Sequence, residues 1–200
     1  MEELLDKLKE ILIKMIPEKW ERIDLYASCS GKDKPGKQGE LFFYFLPISF
    51  FKSEYVNCYE VPSQYNIDEE DYLEYINKLY LIIKKMNKLY MEKNIVSWSN
   101  LTLNMNKRNE MMKIEYSFED LDKIPFSSYE RHIIWRYTNL NIFPRTKEEK
   151  KIIERYHDFL SKYNIQKEVK YIQMILPEKQ NKIDYGTVLN IDEAINGFKN

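Results

Sequence analysis

The stretch from residue 97 to residue 137 constrains the fold more than any other part of the chain. Two runs within it alternate apolar with polar residues, and the apolar positions are Leu101, Leu103, Met105, Met112, Ile114, Tyr116 and Phe118. A polar turn over residues 106–110 joins the runs. This pattern predicts a β-hairpin, because alternation places one apolar face against a core. We expect the hairpin to lie inside the main sheet.

A helix is predicted directly after the hairpin. Ser127 can accept a hydrogen bond from an unpaired amide of the first helical turn, and Glu130 can reach back to the backbone N–H of Ser127. This reciprocal arrangement is a capping box, which marks the start of a helix.

The remaining elements follow from periodicity and from the prolines. Apolar spacing predicts helices over residues 2–16 and 68–93, and a further helix that ends near residue 163. Thr146 and Glu149 predict a second capping box at the start of that last helix. Three strands are predicted over residues 22–27, 41–46 and 55–61. The first should be half-buried because its apolar and polar residues alternate, and the last is ended by Pro62. The tail alternates at Val169 and Tyr171, and again at Ile183 and Tyr185, which predicts one or two extra strands.

This order of elements predicts a single α+β domain. Strands that follow one another through short turns favour a mainly antiparallel sheet, with the helices packed on one face. We expect residues 1–163 to form the principal domain. Residues 164–200 would be a C-terminal extension packed on the same domain.

Composition excludes several classes of protein. The formal net charge of −1 argues against a chain that binds nucleic acid through its overall charge. Only five glycines are present, and neither a G-x-G-x-x-G nor a P-loop pattern occurs. The N-terminus is acidic where a signal peptide would be basic, and no apolar run reaches the ~20 residues of a membrane helix. A soluble cytoplasmic protein is expected.

Several segments together resemble one family. They are "MEELLDKLKEILIKMIPEKWERIDLYA" at the N-terminus, followed by "WSNLTL", "IEYSFEDL", "FSSYERHIIWRY" and "EEKKIIERY". In order and spacing they are similar to the YezG-like immunity family of Gram-positive bacteria, over roughly residues 1–160. The resemblance implies a cytosolic antitoxin that binds and neutralises a cognate secreted nuclease toxin.

The nucleophilic and titratable side chains do not form a recognisable site in the sequence. His132 and His157 have no Cys or His partner at metal-ligand spacing. Cys29 and Cys58 have no activating neighbour and are expected to be reduced, buried thiols. We therefore predict no catalytic residue, no metal and no cofactor.

Acidic residues are the best candidates for partner contact. No base lies between Lys52 and Lys78, and a second acidic segment lies between Lys113 and Lys123. A nuclease groove must attract phosphate and is therefore basic, so carboxylates can recognise it. The predicted partner-binding residues are Glu60, Asp68, Glu69, Glu70, Asp71, Glu115, Glu119, Asp120 and Asp122. The acids at 68–71 also suit a helix start, where they meet the positive end of the dipole.

Two other functions stay open at this point. The aromatic content and the basic loop from Lys32 to Lys37 allow an intracellular nucleic-acid-associated or regulatory binding module without catalytic activity. A hydrolase with an unrecognised site is the weaker alternative. The immunity reading predicts no direct nucleic-acid contact and no membrane contact.

Overall fold

The fold is known from a computed structural model, which describes residues 1–29, 39–48, 54–94, 96–108, 111–163, 171–175 and 184–185. The principal helices are α1 (Glu2–Lys14), α2 (Val61–Tyr65), α3 (Glu69–Asn94), α4 (Ser128–Leu140) and α5 (Lys147–Tyr163). The strands are β1 (Trp20–Ser28), β2 (Leu41–Pro47), β3 (Val56–Asn57), β4 (Asn100–Asn106), β5 (Met111–Ser117), β6 (Tyr171–Ile175) and β7 (Asp184–Tyr185).

The strands form one sheet in the order β3-β2-β1-β4-β5-β6-β7. Every pairing is antiparallel. The β4–β5 hairpin lies inside the sheet as predicted, with β4 beside β1 and β6 beside β5. The predicted α+β single domain with a mainly antiparallel sheet is confirmed.

Strand register places the apolar alternation on one face of the sheet. Leu25 of β1 lies opposite Phe43 of β2 and Leu103 of β4. Leu103 in turn pairs with Ile114 of β5. All four side chains are almost completely buried, so this face of the sheet forms one side of the hydrophobic core. Tyr116, also predicted to be buried, is half-buried.

Helix α3 crosses this apolar face from the β2 side to the β5 side. Its buried stripe consists of Tyr72, Ile76, Leu79, Ile83 and Met86. The Tyr80 hydroxyl lies 3.4 Å from the carbonyl oxygen of Ser28 at the end of β1. Near the other end of the helix, the Tyr90 ring lies 5.4 Å from the Tyr116 ring. The second half of α3 therefore lies against the β4–β5 hairpin, where the Asn87 amide also donates to the Trp98 carbonyl oxygen at 2.6 Å.

Strand β1 is buried on both faces, although alternation predicted a half-buried strand. Asp24 and Tyr26 point away from Leu25, yet both are buried. Asp24 accepts two hydrogen bonds from Arg22, at 2.7 and 3.0 Å, and one from the Asn104 amide. Burial raises the pKa of Asp24, and these donors stabilise its charged form.

The predicted strand over residues 55–61 is wrong after Asn57. A 3₁₀ helix occupies Cys58–Glu60, and α2 follows it directly. The Asn57 side chain accepts a hydrogen bond from Tyr59 N–H at 3.0 Å, and Pro62 lies at the start of α2. Proline is tolerated there because its missing N–H has no helical partner. The proline therefore begins a helix here and does not end a strand.

The 3₁₀ helix also closes the outer edge of β2. Strand β3 pairs with β2 only at Tyr44 and Phe45. Beyond this pairing, the Phe43 N–H donates to the Cys58 sulfur at 3.4 Å, and the Tyr59 hydroxyl donates to the Leu41 carbonyl oxygen at 2.8 Å. Side chains thus satisfy edge groups that a neighbouring strand would otherwise satisfy.

The chain divides into two compact units. The first contains residues 1–117 together with β6 and β7, and the second begins at Phe118 and contains α4 and α5. In the second unit, Ile133 of α4 packs with Ile152 and Ile153 of α5. No helix within the described ranges is both long enough and apolar enough to cross a membrane.

Both helices of the second unit begin with the predicted serine or threonine cap. Ser127 Oγ accepts from Glu130 N–H at 3.3 Å, and Glu130 accepts from Ser127 N–H at 2.8 Å, which confirms the capping box of α4. Thr146 caps α5, but Glu149 accepts from Arg145 N–H at 2.7 Å instead of completing a second box.

Candidate protein-binding surface

The acidic residues before and within the first turn of α3 are exposed. Asp68 Oδ1 accepts a hydrogen bond from Asp71 N–H at 2.9 Å, so Asp68 caps the helix. Glu69, Glu70 and Asp71 follow in the first turn. Glu60 lies upstream at the start of α2 and accepts from the Gln64 amide at 3.3 Å. A structural role and an accessible surface therefore coexist in this segment.

Glu115 lies far from the first turn of α3. It neighbours Tyr116, which contacts Tyr90 near the end of α3, and from Glu70 to Tyr90 the helix rises about 30 Å. Adjacent strand residues point to opposite faces, so Glu115 also faces away from α3. It forms an ion pair with Lys113. Glu115 and the acids in the first turn of α3 are therefore separate positions on the first unit.

The last three predicted acids belong to the second unit. Asp120 accepts from Asp122 N–H at 3.0 Å, which forms a local turn. The other carboxylate oxygen of Asp120 lies 3.3 Å from the Lys123 ammonium. Glu119 is half-buried, and Asp122 is exposed. These residues form a separate acidic segment.

The outward side of α3 combines acids with exposed leucines. Leu73 and Leu81 are 37% and 55% exposed, and helical spacing places Leu81 opposite the buried stripe and Leu73 on its flank. A shallow groove that is widely open to solvent lies on the same side, lined by Glu69, Glu70, Leu73, Glu74 and Asn77. Leu73, Asn77 and Leu81 were absent from the predicted set. The sequence does contain a signal for them, because both leucines fall off the apolar stripe.

Charge changes sign along this outward side. The first half carries Glu69, Glu70 and Glu74, whereas Lys84, Lys85 and Lys88 are exposed on the second half. Glu74 lies 3.0 Å from Lys78. Within the described part of the chain, neither Glu69 nor Glu70 forms an ion pair. Their carboxylates are therefore available to a cationic partner.

The two thiols are poorly suited to nucleophilic chemistry. Burial raises the pKa of Cys58 to about 12 and that of Cys29 to about 11. A thiol is reactive as the thiolate, so both side chains are largely protonated at neutral pH. Cys58 instead accepts the hydrogen bond from Phe43 that helps to close the sheet edge.

The two histidines occupy different places in the second unit. Burial lowers the pKa of His132 to about 4, and the charge of Arg136 acts in the same direction. The ring of His157 lies 3.5 Å from the Tyr137 hydroxyl. No group of three potential metal ligands occurs among the residues that the structure describes. The basic loop from Lys32 to Lys37 lies outside those residues.

Comparison with known proteins identifies the class to which this α+β chain belongs. Residues 1–154 match the family model described as "Immunity protein YezG-like", which places the chain among the immunity proteins. The chain belongs to the YezG-like immunity protein family.

The alignments with two relatives each span nearly the whole length of the relative. The chain is 27% identical over 157 residues to immunity protein YezG of Bacillus spizizenii, which covers 78% of this chain and 92% of the relative. It is 26% identical over 156 residues to immunity protein YezG of Bacillus subtilis strain 168, with 78% and 98% covered.

Proposed function

We propose that this protein acts in the cytoplasm, where it binds a cognate secreted nuclease toxin and neutralises it as a stable complex. No catalysis by the immunity protein is required. The observation that carries this proposal is the family match over residues 1–154. An immunity protein has a toxin as its partner, and the accessible acids fit the basic groove that a nuclease needs to hold phosphate.

The acids serve this function in two regions. Glu69, Glu70 and Asp71 at the start of α3 would steer the basic surface of the toxin. The segment with Glu119, Asp120 and Asp122 would be a second region of contact. Glu60 and Asp68 would extend the first region, and Glu115 would contribute through its own face of the sheet.

We also infer that residues 164–200 extend the immunity domain of residues 1–163. The antiparallel pairing of β6 with β5 supports this organisation. The extension lies beyond the residues matched by the family model.

The test is recovery of a nuclease and its inhibition by the purified chain. Tagged protein isolated from native cells should retain a polypeptide that degrades nucleic acid once the complex is dissociated in denaturant and the components are separated. Adding back the immunity protein should suppress this activity, with the endpoint at a fixed stoichiometric ratio. A nuclease that keeps full activity in excess immunity protein would refute the proposal.

A parallel assay tests the other class of function. The purified chain alone is mixed with labelled single-stranded and double-stranded DNA and RNA at physiological salt. We expect no binding. Nucleic-acid binding together with failure to inhibit any recovered nuclease would favour the nucleic-acid-associated module.

A further inference from the structure

We propose that the outward side of the first half of α3 is the docking face for a basic segment of the toxin. This docking face consists of Glu69, Glu70, Leu73, Glu74, Asn77 and Leu81. The proposal rests on the nuclease-inhibitor function above. It adds the surface that is used and the chemistry of the partner segment, which must carry lysine or arginine beside apolar side chains.

The apolar component of the docking face is a pair of leucines. Leu73 and Leu81 lie about two helical turns apart, which corresponds to about 12 Å along the axis. Both remain exposed although α3 buries a complete stripe on its other side. Eight residues also correspond to about 80° of rotation around the axis, so a partner segment that covers both leucines must cross the helix obliquely.

The groove specifies the charge of the partner side chains. Its lining combines Leu73 with the carboxylates of Glu69, Glu70 and Glu74. A lysine or arginine fits such a lining, because its aliphatic stem packs on leucine while its charged end meets a carboxylate. An acidic or purely apolar segment would leave the carboxylates desolvated without a partner.

The second half of the helix determines the direction of docking. Lys84, Lys85 and Lys88 continue the same outward side beyond Leu81. A basic segment that extended over them would meet like charge, which is unfavourable at close range. The basic part of the partner must therefore lie over the first half of α3, with Leu81 near the boundary.

Paired variants of exposed residues test the docking face. The probe is the nuclease recovered with the wild-type chain, purified and titrated by calorimetry. Leu73→Ala combined with Glu70→Gln should raise Kd by about tenfold or more, as expected for anchors of an interface. The matched control is Met91→Ala, which removes a 45% exposed side chain from the same helix and should change Kd less than about twofold.

Photocrosslinking provides a second measurement that does not depend on a loss of affinity. A photoreactive residue at Asn77 should crosslink to a lysine- or arginine-containing peptide of the nuclease, whereas the same residue at position 91 should not. Unfolding midpoints and circular dichroism of all variants establish that they remain folded.

The outcomes separate this proposal from the proposed function. If the wild-type chain inhibits no nuclease, the proposed function fails and the docking face fails with it. If the wild-type chain inhibits but the double variant binds with unchanged Kd, only the docking face is refuted. Salt-sensitive self-association that Glu70→Lys abolishes, and that mixing with Lys88→Glu restores, would assign this face to a second copy and would also refute the proposal.

Discussion

Leu103→Ala measures how much the hairpin contributes to the core. Leu103 is 0% exposed and pairs with Leu25 and Ile114 on the apolar face beneath α3. The substitution removes three carbons, and at ~0.8 kcal/mol each the lost transfer free energy is about 2.4 kcal/mol. A residual cavity of roughly 60 Å³ adds about 1.4 kcal/mol at ~24 cal/mol per Å³. We therefore expect a loss of about 4 kcal/mol in the free energy of unfolding, within the usual ~2–5 kcal/mol.

Urea denaturation followed by tryptophan fluorescence measures this loss. Trp98 is 1% exposed and its ring lies 5.4 Å from that of Tyr116, so it reports on the hairpin. The matched control is Leu81→Ala, because Leu81 is 55% exposed. It should change the free energy of unfolding by less than ~0.5 kcal/mol. An unchanged midpoint for Leu103→Ala would refute the assignment of this face to the core.

Four further results are expected. Ser127→Ala should cost ~0.5–2 kcal/mol of stability by removing the cap of α4, and toxin binding should fall only as far as folding falls. The backbone hydrogen bond from Ser127 lowers the pKa of Glu130 below 4.5, so the stability it contributes is complete above about pH 4.5 and is lost as pH falls through the folded pKa. The destabilisation caused by Glu130→Gln, measured by urea unfolding, should therefore be smaller at pH 3 than at pH 7. Reversing Glu69 and Glu70 to Lys should slow toxin association more than it speeds dissociation, and should flatten the salt dependence of the association rate. Stopped-flow kinetics at two salt concentrations measure this, and an unchanged salt slope would contradict the prediction. Conservative replacement of both cysteines and both histidines should leave cells protected from the toxin, and loss of protection in a folded variant would revive a catalytic role.

The sequence predicts the central part of the fold because its signals there are local and agree with one another. The hairpin combines alternation with a polar turn, and α4 combines apolar spacing with a capping box. Helix α3 is predicted almost to its ends because Asp68 is a good cap and its apolar stripe is long.

Two structural results could not be predicted from local pattern. Residues 58–61 look like the end of a strand, but their geometry depends on contacts of Cys58 and Tyr59 with the preceding strand β2, 15 and 18 residues earlier in the chain. Burial of Asp24 likewise depends on Arg22 and Asn104, and Asn104 belongs to another strand. Both results depend on tertiary contacts, and the alternation of apolar and polar residues carries no information about such contacts.

The candidate site was only partly predictable for a similar reason. A run of acids identifies charge but gives no distance between runs, so the separation of Glu115 from the first turn of α3 required the structure. The leucines of the docking face were visible as apolar residues off the stripe. The sequence did not show that these leucines group with Glu70 and Asn77 on one side of α3.

The side chains that close the outer edge of β2 also limit the ways in which a partner can bind. Recognition by β-augmentation requires free backbone donors and acceptors along a strand edge. Here the Cys58 sulfur already accepts from Phe43, and the Tyr59 hydroxyl already donates to Leu41. An added strand would have to break both contacts and displace β3. Edge-to-edge pairing with the sheet of another copy, which leads to aggregation, meets the same obstacle.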